Sequence, residues 1–281
     1  MMNRPFHEWP LVLFTALAIA GGGMIATAPL WLVDPVGHFT GEDLVPVCVG
    51  VLLTALGLVV SVAHLGHAWR ARWALGGVGR SPLATEVALA GAVVCSGGAA
   101  WFAATVPGLA SVVLTFYTLT VLLGAAFLLS IGLVYALPGQ PAWSARHVTV
   151  SPFLTGLASG SFVWTGSRTA LGGRPALALM ALDALVFAFR WRAIARLPRH
   201  LTVAHPELFE QRHLLLAFRL ALVNVLPVTC LVGPPRSSRY IAAALAGLAV
   251  GLLIDRIAFY GLAAAHTTEA EIGRIDELIG G

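Results

Sequence analysis

The sequence predicts an all-α protein, a polytopic membrane helix bundle with eight transmembrane helices in one domain over residues 1–281. Three observations carry that prediction. Charged side chains make up only 11% of the chain, against about 25% in soluble globular domains. Apolar residues make up 58% and the mean hydropathy is +0.85. Eight stretches approach the roughly 20 apolar residues that an α-helix needs to cross a hydrocarbon core.

The first stretch, Pro10–Val33, follows directly on MMNRPFHEWPLVLF. That start lacks the small-residue cleavage pattern of a signal peptide, so an uncleaved first helix is expected. The second, Leu44–His64, is followed by Gly66, a residue that favours helix ends. The third, Leu83–Ala104, is preceded by Ser81 and Pro82, the residue types of an N-cap and a first turn. The fourth is Ser111–Leu137. The fifth and sixth, Pro152–Trp164 and Pro175–Phe189, are short, and each spans only if polar loop residues join it. A broken or re-entrant segment there would change the topology. The seventh and eighth are Leu214–Val232 and Tyr240–His266, followed by an acidic tail expected to be a frayed helix. No internal repeat is evident, which speaks against a transporter built from two related halves.

All 17 basic side chains are arginine. If all eight stretches cross, 11 arginines lie on the side of both termini and 4 on the other, with Arg219 and Arg256 inside spans. The positive-inside rule then puts both termini in the cytoplasm of a bacterial inner membrane. The basic loop Arg190–Arg212 is expected to rest on anionic lipid headgroups or to grip a partner subunit. Cys48, Cys95 and Cys230 stand singly and make no ligand spacing, so no metal or iron–sulfur site is expected on this chain, and no nucleic-acid partner. His67 follows His64 by three residues, but haem in a bundle usually takes axial histidines from separate helices, so no haem is expected.

The chemistry concentrates in Ser61–Glu86, a short basic loop joining two apolar helices. His64 ends the second helix, and Glu86 lies about 6–8 Å inside the third at 1.5 Å per residue, so the two are expected at similar depth on adjacent antiparallel helices. One reading makes His64 an interfacial cap and Glu86 a first-turn carboxylate favoured by the helix dipole. The other makes them a quinone-headgroup pocket, with an imidazole to hydrogen-bond a ring oxygen and a carboxylate to carry protons. Arg70 would then stabilise negative charge, and Gly66, Gly76, Gly77 and Gly79 would leave the wall open to a flat ring entering from lipid. Deeper in the bundle, Arg219 and Asp255 are expected to form an ion pair, with Arg256 beside it and Tyr260 one turn on, because a lone charge in hydrocarbon is costly.

Several of these residues together resemble one family. They are His7-Glu8-Trp9-Pro10-Leu11 with Phe14-Thr15, His64-Leu65-Gly66 with Arg70-Ala71, Glu86, Phe218-Arg219, and Arg256 with Phe259-Tyr260-Gly261. In order and spacing they resemble the membrane anchor subunit of the dimethyl sulfoxide reductase family of molybdoenzymes, over nearly the whole chain. The resemblance implies a haem-free subunit in direct contact with an iron–sulfur subunit, itself joined to a molybdopterin catalytic subunit. Such a subunit exchanges electrons with menaquinone or ubiquinone in the membrane pool. It also implies quinol binding at His64, Gly66, Arg70 and Glu86. His67-Ala68-Trp69, Arg72 and Asp255 depart from the family's better-known members. Menaquinol-driven S- or N-oxide reduction is the expected activity of the complex, an anchor for a sulfite dehydrogenase-type complex the alternative, and a small-solute or ion transporter a more distant one.

Overall fold

A computed structural model describes residues 9–30, 41–64, 75–135, 146–167, 174–195, 210–232 and 238–261. Among these residues there is no strand, and eight long helical segments follow one another. They are α1 (Trp9–Thr27), α2 (Gly41–His64), α3 (Pro82–Ala104), α4 (Ala110–Val134), α5 (Arg146–Ser167), α6 (Arg174–Ala195), α7 (Arg212–Val232) and α8 (Ser238–Gly261).

Six of the eight, all but α5 and α6, are long and apolar enough to cross a bilayer. The expected count of eight crossing helices is therefore supported for six by length and hydropathy. The other two are long enough, at 22 residues each, but too polar. Much of their polarity points inward, although Arg174 and Arg192, near the two ends of α6, are exposed. On α5, Ser151, Thr155, Ser159, Ser161 and Thr165 are all buried. The hydroxyls of Ser159, Ser161 and Thr165 donate to carbonyls one turn back in their own helix, which satisfies them without water. On α6, Asp183 and Arg190 are buried as well. Both helices are continuous and longer than their apolar stretches, and the irregular backbone falls elsewhere, in a π-turn at Ala221–Val225 of α7.

Neighbouring helices run antiparallel, as their contacts show. Gly21 of α1 lies against Gly50 and Thr54 of α2, while Phe14 lies against Gly57. Thr155 and Ser151 on α5 bond Asp183 and Arg190 on α6. The N-terminal ends of α1, α3, α5 and α7 thus share one end of the bundle with the C-terminal ends of α2, α4, α6 and α8.

Small residues let α1 and α5 meet almost backbone to backbone. A Cβ on Gly23 would stand 2.0 Å from the Gly156 carbonyl oxygen, and one on Gly160 would stand 2.2 Å from that of Gly23. Close approach through small residues is the usual way helices gain packing in lipid, where water supplies no drive to associate. Trp164 of α5 closes the contact by donating its indole N–H to the Met24 carbonyl at 2.8 Å. On the other side of the bundle, α2, α3 and α4 present Leu52, Val59, Phe102 and Leu122 outward, an apolar surface suited to acyl chains.

Candidate functional site

Glu86 sits where its local sequence puts it. Ser81 is the N-cap of α3, in extended backbone, and its hydroxyl accepts from Ala84 N, with Pro82 in the first turn. Gly79 turns the preceding loop with φ 79°, a conformation that strains other residues. Its N–H donates to Thr85 Oγ1 at 3.1 Å, which ties the loop to the helix start. Nothing lies within 4 Å of a Cβ built on Gly76 or Gly79, whereas one on Gly77 would stand 3.3 Å from Ala84 Cβ, so the described part of the loop is open at two of its three glycines. One turn in, the Glu86 side chain is fully buried, and neither carboxylate oxygen has a hydrogen-bond partner among the described residues. Buried polar groups are nearly always satisfied, so such an orphan marks a place for a water or a ligand.

His64 is the last residue of α2, and α2 packs on α3 where Gly97 meets Val51, so tightly that a Cβ would come within 2.4 Å of Val51 Cγ2. His64 is thirteen residues from that contact and Glu86 eleven, in antiparallel helices. At 1.5 Å per residue the two backbone positions differ in height by about 3 Å. Gly66, Arg70, His67 and Arg72 lie outside the described residues, as do the His7-Glu8 motif and most of the basic loop before Arg212.

Two tyrosines stand near Glu86 at the same end. Tyr135, the C-cap of α4, and Tyr260, next to last in α8, hydrogen-bond through their hydroxyls, and either can be the donor. Tyr260 also faces Thr15 of α1, whose hydroxyl donates to the Leu11 carbonyl at 2.8 Å. Glu86 and Arg256 both lie within electrostatic reach of the two phenols.

Arg256 opens a network of buried charge across α5–α8. Its guanidinium bonds Asp255, and Arg190 Nη1 donates to Asp255 Oδ1 at 2.8 Å. Arg219 Nε stands 3.4 Å from the same oxygen, so the expected Arg219–Asp255 pair is present but long. The stronger partner of Arg219 is Asp183, at 2.9 Å. Thr155 donates to Asp183 Oδ1 at 2.6 Å and accepts from Arg219 Nη2 at 2.8 Å. Asn224, carried inward by the π-turn, accepts from Arg219 at 2.6 Å and donates to Asp183 and to the Met180 carbonyl, both at 3.0 Å. Phe187 lies 4.0 Å under the Arg219 guanidinium and Phe259 4.8 Å under that of Arg256. Three arginines against two aspartates leave one net positive charge, on the same end of the bundle as Glu86.

Asp183, Arg190, Asn224, Thr155 and Tyr135 were not singled out by the sequence. Arg190 in particular counts as a loop arginine there, whereas it is buried inside α6, which removes one from the excess on that side. A signal did exist: Asp183 and Arg190 are seven residues apart, two helical turns, and so share a face. Among the described residues no three His, Cys, Asp or Glu side chains are grouped to hold a metal ion.

Glu86, the tyrosine pair and the three buried arginines are thus gathered in one half of a bundle that also presents apolar faces to lipid. A sequence-family model described as "DMSO reductase anchor subunit (DmsC)" matches residues 2–262. The chain belongs to that family. It is 26% identical over 280 residues to the YnfH chain of an anaerobic dimethyl sulfoxide reductase of Escherichia coli (strain K12), a match covering 93% of this sequence and 96% of that one. It is 29% identical over 158 residues, 55% of each sequence, to the C chain of the anaerobic dimethyl sulfoxide reductase of the same organism. The corresponding C chain of Haemophilus influenzae (strain ATCC 51907 / DSM 11121 / KW20 / Rd) is 27% identical over 161 residues, 57% of this sequence and 58% of that one. The family resemblance visible in the residues is therefore borne out. The protein is a membrane anchor subunit of a DMSO reductase family complex, and both Glu86 and the arginine network are features of that anchor.

Proposed function

We propose that this anchor carries the quinone-reactive site of a heterotrimeric molybdopterin oxidoreductase. All eight helices cross the bacterial inner membrane as one bundle, α5 and α6 shielded by their neighbours. The iron–sulfur subunit docks on the anchor directly and passes electrons from menaquinol to a molybdopterin catalytic subunit that reduces an S- or N-oxide. Molybdopterin and iron–sulfur clusters belong to the partners, and menaquinone or ubiquinone is the anchor's substrate.

The observation that carries this reading is Glu86, a fully buried carboxylate with both oxygens unpartnered among the described residues, level with the end of α2. A quinol headgroup supplies the missing donor. In this assignment His64 hydrogen-bonds a ring oxygen, Glu86 takes the proton of a quinol hydroxyl, Gly66 keeps the wall low, and Arg70 offsets negative charge on the ring. Family membership supports electron transfer over solute transport.

The test compares His64→Ala and Glu86→Gln in membranes holding the assembled complex. Quinol-driven reduction should fall about 100-fold or more, the usual scale for losing a positioned acid or base. Reduction driven by a soluble low-potential dye, which bypasses the anchor, should be unchanged. Full quinol-driven turnover in both variants would remove these residues from the site.

A further inference from the structure

The buried arginine network is short of acceptors as well as of negative charge. Every oxygen of its two aspartates is already taken. Asp255 Oδ1 accepts from Arg190 at 2.8 Å and faces Arg219 Nε at 3.4 Å, while Oδ2 accepts from Arg256 Nε at 3.0 Å and from Nη2 of the same side chain. The oxygens of Asp183 are shared among Thr155, Asn224 and Arg219. Two donors are left over. Arg190 Nη2 and Arg256 Nη1 are buried and have no hydrogen-bond partner among the described residues. We propose that these two nitrogens hold a small monovalent anion of the chloride class, bound from solution through the end of the bundle that carries Glu86.

Charge is the first support. Guanidinium groups stay ionised in proteins, so the three arginines carry one positive charge more than the two aspartates cancel. All five side chains are no more than 2% exposed, so solvent and salt screen little of that surplus. An uncompensated charge at such a place is costly. A buried water would satisfy the two donors and leave the charge as it was. The Phe259 ring, 5.4 Å from Arg190 Cζ and 4.8 Å from Arg256 Cζ, adds cation–π attraction but no negative charge. Glu86, the other buried carboxylate at this end, makes no hydrogen bond to any described residue, so it is not a contacting counter-ion.

Position is the second. Arg190 and Arg256 grip opposite oxygens of one carboxylate and both stand against one aromatic ring, which keeps their open nitrogens in the same neighbourhood. Arg190 lies five residues before the end of α6, and Arg256 five before the last described residue of α8. Ser151, 3.5 Å from Arg190 Nη1, lies five residues after the start of α5. At 1.5 Å per residue the three stand about 7–8 Å in from the same end of the bundle, a short path for an ion from solution. A single-atom anion meets the demand, because it accepts charge-assisted hydrogen bonds from both guanidinium groups and cancels one charge. This site is independent of the quinone assignment of Glu86.

The test takes the full chain in detergent micelles, with sodium chloride or bromide exchanged against sodium gluconate at constant ionic strength. Halide should raise the unfolding midpoint, by about 2–4 °C for each tenfold increase beyond half-saturation. Arg190→Met and Arg256→Met each remove the surplus charge together with one open donor, and the halide shift should fall below about 1 °C. Asp183→Leu combined with Arg219→Met keeps both the surplus charge and the two donors, so its halide shift should match that of the parent. Should the single variants fail to fold, the parent decides: crystals grown in bromide should show anomalous scattering within about 3.5 Å of both Arg190 Nη2 and Arg256 Nη1. Equal midpoints in halide and gluconate overturn the proposal. A halide shift that survives undiminished in Arg190→Met and Arg256→Met also overturns it, being a general salt effect. So does a site without bromide, filled instead by water, by a phospholipid phosphate or by a carboxylate from elsewhere in the chain.

Discussion

Replacing Asp183 by leucine tests whether the buried network is a charge-balanced unit. Arg219 would lose its 2.9 Å carboxylate and keep Asp255 at 3.4 Å as its counter-ion beside the neutral Asn224 and Thr155, and Thr155 and Asn224 would each lose an acceptor. Net charge in the network would rise from one positive to two. Removing one member of a buried ion pair costs about 3–5 kcal/mol. Arg219→Met should cost a similar amount, because Asp183 has no other ion-pair partner among the described residues. The double variant behaves differently. It leaves Asp255 with Arg190 and Arg256, the same single net charge as the parent, and exchange of a buried pair for apolar side chains is often nearly neutral. What persists is the loss of two contacts each by Asn224 and Thr155, about 1–3 kcal/mol for each residue, half of which each single variant already loses. The double should thus be more stable than either single, with a coupling energy of several kcal/mol where independent sites would show almost none. Denaturant unfolding in detergent micelles across the four proteins measures this. A double whose cost equals the sum of the singles would refute the charge-balance reasoning.

Packing and hydrogen bonding yield further expectations. Gly23→Ala places a methyl 2.0 Å from the Gly156 carbonyl oxygen and must push α1 from α5. Overpacking of this kind costs about 1–3 kcal/mol, to be read as lower complex yield and midpoint. Gly98→Ala meets nothing within 4 Å and should be neutral or stabilising by up to about 1 kcal/mol through helix propensity. Trp164→Phe removes the indole donor from the Met24 carbonyl and leaves it only the longer Thr27 hydroxyl contact at 3.5 Å, at about 0.5–1.5 kcal/mol in the same unfolding assay. Ser81→Ala removes the α3 N-cap and should cost about 0.5–2 kcal/mol, with the first turn carrying Glu86 exchanging its amide hydrogens faster.

Much of the site's scaffold was legible because its causes are local. Ser81 and Pro82 announce the start of α3, so the depth of Glu86 follows from counting residues along a helix of known rise. The end of α2 at His64 follows in the same way. Arg219 and Asp255 stood out as charges in apolar surroundings, which correctly implied partners. The identity of the main partner was not legible. Asp183 lies 36 residues from Arg219 on a segment whose short apolar stretch gave no reason to expect a long helix. Arg190 looked like a loop residue because a hydropathy count stops where polarity begins, whether that polarity faces water or protein.

By itself the sequence determined the membrane class, the family, the positions of eight helical segments and the height of Glu86, since each depends on composition, spacing or caps within one stretch of chain. Only the tertiary structure decided which charges are counter-ions, why α5 and α6 can be polar, and that two tyrosines 125 residues apart share a hydrogen bond beside Glu86. Those are contacts between helices. They are set by rotation and close approach, here through glycines that let α1 and α5 nearly touch, and no periodicity within a single helix encodes which neighbour its polar face will meet.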